Sequence, residues 1–370
     1  MSKPVNVLFA GGGTGGHLYP ALAIARAMVA ANPDVEPFFI GARRGIERDV
    51  LPLAEFPFEL LDLHPLYRSK PWLNWRTVAG SASSWQSISR IATTTHPRAL
   101  VATGGYAAGI ALGYAAWKRI HIVIQEQNSY PGLTVRRFSR RAAQIHLGFP
   151  EARRLLRLGA QTRVFESGNP IDPPPPLEKR MSHADAARKW GFEGPDVPTM
   201  LVFGGSQGAE GINSVVAKWT AGGSRRMRVI WATGPTHFAR YAGLARESVR
   251  VVPYISPMSD AYSAADLALT RAGAMTTAEL AAWGLPAILV PLPTAAADHQ
   301  TANARAISSA GAGVMIQQSA LTADLLEATV TRLFGDQKAL IDMREKTLMR
   351  SRPDAAQTIA GNILSLSCFK

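Results

Sequence analysis

Short runs of β-branched and aromatic residues alternate along this chain with longer stretches whose apolar positions recur at helical spacing. In the first half Val5–Ala10 leads into Pro20–Ala31, Glu36–Ile40 into Gly45–Ala54, and Ala99–Ala102 into a helix reaching Lys118, followed by Ile120–Ile124. Such alternation is the rhythm of βαβ units and predicts an α/β fold with parallel sheets. The rhythm returns with predicted strands Thr199–Phe203, Val229–Ala232, Val249–Val252, Leu267–Thr270 and Ala287–Pro291. Between the halves lies Asn169-Pro-Ile-Asp-Pro-Pro-Pro-Pro176, where missing N–H groups and fixed φ disfavour both helix and sheet. The expected organisation is therefore a domain over 1–168, a linker over 169–176 and a second domain over 177–352. The tail, about 353–370, carries Ala, Ile and Leu at helical spacing and is expected to pack back on the first domain.

Composition narrows the class. A chain of 370 residues is comfortable as two domains, and 47% hydrophobic with 18% charged residues describes a globular protein. The single cysteine, Cys368, excludes an internal disulfide and a cysteine metal cage and fits a reducing compartment. No stretch of signal-peptide length precedes the first strand, and the longest apolar stretch, Tyr106–Trp117, falls short of the roughly 20 residues of a membrane span. A net charge of +13 asks for an acidic partner: nucleic acid, an anionic membrane face or a phosphorylated substrate. No nucleic-acid-binding signature accompanies it.

Two glycine-rich loops stand where a strand gives way to a helix: Gly11-Gly-Gly-Thr-Gly-Gly-His17 and Gly204-Gly-Ser-Gln-Gly-Ala209. Glycine lets the backbone approach a ligand closely, and the following helix N-terminus points its N–H groups at negative charge. Gly11, Gly13 and Gly16 satisfy the dinucleotide fingerprint, but an NAD site also wants an acidic residue after the second strand, where this chain has Arg43 and Arg44. A dehydrogenase is thereby disfavoured. A lone histidine at a helix start is often only a packing residue. Directly behind a phosphate loop, His17 would face the same crevice as the loop amides, and imidazole is a side chain suited to general-base work. Glu126 is the alternative base, or a group that orients the histidine. In the second loop Ser206 and Gln207 offer further donors to a diphosphate. A third strand end, Thr270-Arg-Ala-Gly-Ala-Met-Thr-Thr-Ala-Glu279, places small residues and then a carboxylate suited to ribose hydroxyls, while Asp298-His-Gln-Thr-Ala-Asn303 reads as sugar-binding. Without a D-x-D pair, helix N-termini must hold the diphosphate, so no metal or other cofactor is implied.

Trp72, Trp75, Trp85 and Trp117 lie among Arg68, Lys70, Arg76, Arg90, Arg136, Arg137, Arg140 and Arg141. Any one tryptophan is ordinarily core. Taken together with the basic rim they match a surface that dips into the headgroups of an anionic bilayer.

These motifs, with Gly104-Gly-Tyr106, Glu126-Gln-Asn128 and Gly168-Asn-Pro170, make the chain resemble the MurG family over nearly its full length. Those bacterial N-acetylglucosaminyltransferases convert lipid I to lipid II in peptidoglycan synthesis. The resemblance implies a GT-B architecture, two Rossmann-like domains facing across a cleft, and metal-independent inversion at the anomeric carbon. It also implies UDP-GlcNAc as donor, lipid I (undecaprenyl-diphosphate-MurNAc-peptide) as acceptor, and peripheral attachment to anionic lipids on the cytoplasmic face of the plasma membrane, with no nucleic acid. By similarity Thr14, Gly15, Gly16 and Asn128 complete the donor site, and Ser206 contacts it near the diphosphate. The Ile255 backbone recognises uracil; Arg271 belongs to the third motif, in which Ala274, Met275, Thr276, Thr277, Ala278 and Glu279 hold ribose and phosphate. Gln300 touches the GlcNAc hydroxyls. One departure stands out: the family commonly continues Gly-Asn-Pro-Val-Arg, with the arginine on the donor, whereas this chain has Asp172. That contact is not carried over. Another GT-B lipid glycosyltransferase or a UDP-GlcNAc epimerase is the alternative.

Overall fold

The computed structural model describes residues 4–63, 74–105, 107–194, 197–222 and 227–369. Two compact units emerge, Met1–Asp172 together with Pro353–Lys370, and Pro173–Arg352.

The first unit holds strands β1 (Val5–Gly11), β2 (Val35–Ala42), β3 (Phe58–Leu61), β4 (Ala99–Gly104), β5 (His121–Glu126), β6 (Gln144–Leu147) and β7 (Arg163–Phe165). They lie in the order β3-β2-β1-β4-β5-β6-β7, every neighbouring pair parallel. Parallel neighbours need crossovers, so helices cover both faces and the central strands are apolar throughout. In β1, Val7 and Phe9 pack with Leu18, Ile24 and Met28 of the helix Gly15–Ala31, while Leu8 and Ala10 face Ile88, Ala108 and Leu112 on the other side. The terminal helix Ala355–Leu364 closes the first of these cores with Ile359 and Ile363, both fully buried. Gln144 Nε2 donates to the Asn362 carbonyl at 2.7 Å and ties that helix to β6.

The second unit repeats the plan with β8 (Thr199–Phe203), β9 (Arg228–Ala232), β10 (Val249–Val252), β11 (Leu267–Thr270), β12 (Ala287–Leu289) and β13 (Gly313–Met315), all parallel, in the order β10-β9-β8-β11-β12-β13. Met200, Val202, Trp219 and Trp231 anchor its core. The Trp231 indole is satisfied by Asn213 Oδ1 at 3.0 Å.

Two elements differ from the expectation. The first helix starts at Gly15, five residues before Pro20, which it contains. Pro20 lies beyond the first turn, so the N–H it lacks leaves the Gly16 carbonyl without its helical donor, and the earlier start puts His17 in the first turn. The helix expected over Gly45–Ala54 is one turn, Glu47–Val50, continued as a 3-10 turn over Leu51–Leu53 with Pro52 inside.

Candidate active site

The first glycine loop is held from below. Glu47 is fully buried, and its Oε1 accepts from Gly13 N at 2.8 Å and Ala42 N at 3.3 Å, fixing the turn between β1 and its helix. The loop after β4 presses on it from the side: Gly105 has φ +78°, and a Cβ there would stand 2.1 Å from the Gly12 carbonyl oxygen. Only glycine fits. Into this corner the sequence places His17. Thr103 Oγ1 donates to the His17 carbonyl at 2.8 Å, while the ring Nδ1 lies 2.9 Å from the Thr103 carbonyl and 3.0 Å from Gln127 Oε1. Both are acceptors, so Nδ1 carries the hydrogen and Nε2 holds the lone pair in the neutral ring. Thr14 and Gly16 are exposed at the helix mouth and Gly15 is half-buried.

Glu126 ends β5 and is buried. Its Oε1 accepts from Asn128 N at 2.9 Å and Asn128 Nδ2 at 3.3 Å, and its Oε2 accepts from Gly132 N at 2.9 Å. Burial pushes the carboxyl upward from its ordinary range, against the opposing pull of these amides. Its present work is to shape the loop over 126–132, and the group beside the histidine is the next residue, Gln127.

The second loop opens a cavity of about 510 Å³ within the second unit. Gly204, Gly205, Gly208, Arg271, Gly273, Thr276, Gln300 and Gln318 are among its lining residues. Gly208 has φ +76° and packs so tightly that a Cβ would lie 2.0 Å from the Thr233 carbonyl oxygen. Three helices send their N-terminal residues to the wall: Glu210–Ala221, Ala274–Trp283 and His299–Ser309. Convergent helix N-termini favour an anion. Arg271 is buried, and its guanidinium donates to the carbonyls of Val290 and Pro291, each at 3.2 Å, and to Gln318 Oε1 at 2.6 Å. Among the described residues no carboxylate pairs with it, and burial pulls its pKa down from the ordinary arginine value. A guanidinium remains charged even so, which leaves a buried cation facing a cavity.

Other expected donor-site residues gather around this cavity to different degrees. Ser206 and Gln207 are exposed at the loop tip. Ala274, Met275, Thr277 and Ala278 share the helix that supplies Thr276. Glu279, on the same helix, accepts from the Tyr262 hydroxyl at 2.7 Å, and burial together with that carboxylate raises the tyrosine pKa well above its usual value. Gln300 Oε1 accepts from Leu292 N at 3.0 Å. Ile255 is buried beyond β10 and is not among the residues lining the cavity.

Residues 7–147 match the glycosyltransferase family 28 N-terminal domain, and residues 199–359 match its C-terminal domain. A curated relative from Chlorobaculum parvum is 40% identical, with 98% of this chain and 100% of the relative covered. It is named UDP-N-acetylglucosamine--N-acetylmuramyl-(pentapeptide) pyrophosphoryl-undecaprenol N-acetylglucosamine transferase. A relative of the same name from Salinibacter ruber is also 40% identical, covering 99% and 98%. The crystal structure of Acinetobacter baumannii MurG superposes with a TM-score of 0.77 at 27% identity, covering 98% of this chain and 100% of that one. The chain belongs to the MurG family. The calicheamicin glycosyltransferase CalG4, with a TM-score of 0.68 at 14% identity, shares the fold. Both units of this MurG-family chain are accordingly the Rossmann-like domains of a GT-B glycosyltransferase.

Against that family background the basic aromatic surface is partly described. Trp117 is 60% exposed at the end of the helix Ala107–Lys118, with the Lys118 ammonium 4.2 Å from its ring centroid. Trp85 is half-buried and packs on Trp117 and Tyr114, with centroids 5.6 and 5.2 Å away. Trp72 lies outside the described residues, as does the side chain of Trp75. Among the described residues no helix is long and apolar enough to cross a membrane. Asp172, the departure from the MurG pattern, is exposed at the end of the first unit, where its charge acts on Arg26.

Sequence reasoning passed over Glu47, Thr103, Gln127 and Gln318. Three of them signal nothing by type, because a buried amide or hydroxyl is recognised only by what it meets. Glu47 alone had a legible cue, a carboxylate soon after strand β2 beside the glycines Gly41 and Gly45.

Proposed function

We propose that this protein transfers N-acetylglucosamine from UDP-N-acetylglucosamine to the MurNAc unit of undecaprenyl-diphosphate-MurNAc-pentapeptide, the reaction its relatives are named for. The observation that carries the donor half is the buried Arg271 guanidinium, which faces a cavity ringed by three helix N-termini and pairs with no described carboxylate. Burying a cation without a counter-charge is costly, and a diphosphate entering the cavity offsets that cost. The second loop, Ser206 and Arg271 take the diphosphate, Glu279 the ribose and Gln300 the sugar hydroxyls.

The acceptor half belongs to the first unit. His17 Nε2 takes the proton of the MurNAc 4-hydroxyl as its oxygen attacks the anomeric carbon. The new C1–O4 bond forms as the bond from C1 to the β-phosphate oxygen breaks, and UDP leaves with the electron pair. Configuration inverts in this single displacement. Positive charge develops on the sugar as in other glycosyl chemistry, and negative charge on the leaving diphosphate is met by preorganised amides and Arg271. Trp117 with Lys118 docks the first unit on an anionic membrane surface that presents the lipid-linked acceptor.

Incubating the full chain with radiolabelled UDP-N-acetylglucosamine and a lipid I analogue tests the reading. Label should appear in a disaccharide lipid product. Failure of the folded protein to transfer label, or conversion of the donor to its 2-epimer instead, would contradict it.

A further inference from the structure

The three side-chain amides buried behind His17 have a direction. Asn169 is 2% exposed, and its Nδ2 donates to the backbone carbonyl of Gln127 at 3.0 Å. A carbonyl only accepts, so this bond sets which way the Asn169 amide faces and turns its Oδ1 toward Gln125. Gln125 Nε2 donates to that oxygen at 3.0 Å, which leaves Gln125 Oε1 to accept from Gln127 Nε2. The Gln127 amide nitrogen also meets the carbonyls of Thr103 at 2.7 Å and Gln125 at 3.3 Å. Surrounded by acceptors, that nitrogen has no reason to face the imidazole, and Gln127 Oε1 points at His17 Nδ1 instead.

From this geometry we infer that Asn169, Gln125 and Gln127 form a one-way amide relay that, beside the Thr103 carbonyl, holds His17 in its Nδ1–H tautomer and so keeps the lone pair on Nε2, the nitrogen that receives the acceptor's proton. The proposal deepens the reading of His17 as the base and rests on it. These are positioning residues, for none of them contacts the reacting atoms. Reversing any amide in the relay sets two donors or two acceptors face to face in a buried site, an error that water cannot repair. The neutral amide also explains how the chain orients its histidine without a carboxylate behind it. Glu126, one residue away, has both oxygens on the 126–132 loop.

Nitrogen-15 spectra of the full chain with labelled histidine read the tautomer directly, with the His17→Ala variant assigning the signal. In the wild type the neutral ring should show a protonated Nδ1 and an unprotonated Nε2. Gln127→Met leaves Nδ1 only the Thr103 carbonyl as acceptor, so the share of rings in the Nε2–H form should rise, with turnover falling about tenfold and the donor KM held within about twofold. Asn169→Leu, remote from the ring, should move both readouts the same way by less. Gln127→Glu puts a second oxygen where Nε2 donates, against the Thr103 and Gln125 acceptors, and should fail to restore wild-type turnover although an acceptor still faces the ring. A wild-type ring protonated on Nε2 would overturn the relay without any variant. So would a folded Gln127→Met protein with unchanged tautomer and pH profile. Retained turnover in His17→Ala would instead overturn the base assignment and leave the tautomer result standing.

Discussion

The two glycine loops occupy the same place in two sheets of like strand order, at the end of the strand from which the sheet extends both ways, yet their surroundings have little in common. Behind the first stand buried neutral amides, a pinned histidine and a buried carboxylate that grips the loop from beneath. Around the second stand three helix N-termini, an open cavity and a buried cation. Topology places a crevice at the carboxyl ends of parallel strands in both units. What each crevice does is decided by the residues behind it. In the proposed reaction one site manages a proton and the other a charge.

That contrast can be broken from either side. Arg271→Ala should reduce UDP-N-acetylglucosamine affinity about a hundredfold by calorimetric titration, since hydrogen bonds to a charged group and the cavity's cation are lost together. An unchanged affinity would remove the charge from the donor account. Gly208→Ala and Gly105→Ala each force a Cβ into a carbonyl oxygen, and each should cost about 2–3 kcal/mol in denaturant unfolding. The sharper outcome is functional: the Gly208 variant should also lose donor binding, whereas the Gly105 variant should keep it.

A pH difference separates the units next. His146, buried in the first unit between Ser167 Oγ at 2.9 Å and Gln144 Oε1 at 3.2 Å, is held by burial at a pKa of about 3 against 6.5. The folded chain therefore keeps this ring neutral while the unfolded chain takes up a proton. Its contribution is fully present above pH 6.5 and drains as the pH falls toward 3. Between pH 6.5 and 4.5 this should remove about 2 kcal/mol from the first unit's stability, measured by urea unfolding, and His146→Gln should flatten that loss. The smallest effect belongs to the surface: Trp117→Ser should weaken binding to anionic liposomes about threefold, leaving transfer to a detergent-soluble acceptor unchanged.

Much of this was legible in the sequence, and what was missed has common causes. The strands Thr199–Phe203 and Leu267–Thr270 coincide with their apolar runs, because a strand buried on both faces leaves an uninterrupted signal. The strands β3, β6, β7 and β13 escaped notice. They are three or four residues long, and β6 carries Gln144 and His146, both buried but polar. Beyond the bond between these two side chains, their partners Asn362 and Ser167 are distant in sequence, which no local pattern records. The proline run contains the point between Asp172 and Pro173 where the units divide. In the site, glycines and His17 were visible because their types are unusual at strand ends. Gln125, Gln127 and Gln318 were not, since an amide acquires its role only from the atoms around it. The tryptophans could be read as a group, but whether any one faces solvent depends on packing that composition does not encode.

The division of labour between the two loops is tested most directly by His17→Ala, with turnover and donor binding measured on the same preparation. Transfer to the lipid-linked acceptor should fall about a hundredfold or more while UDP-N-acetylglucosamine affinity stays within about twofold of wild type. Turnover near the wild-type rate, or a donor affinity that collapses along with it, would contradict the account.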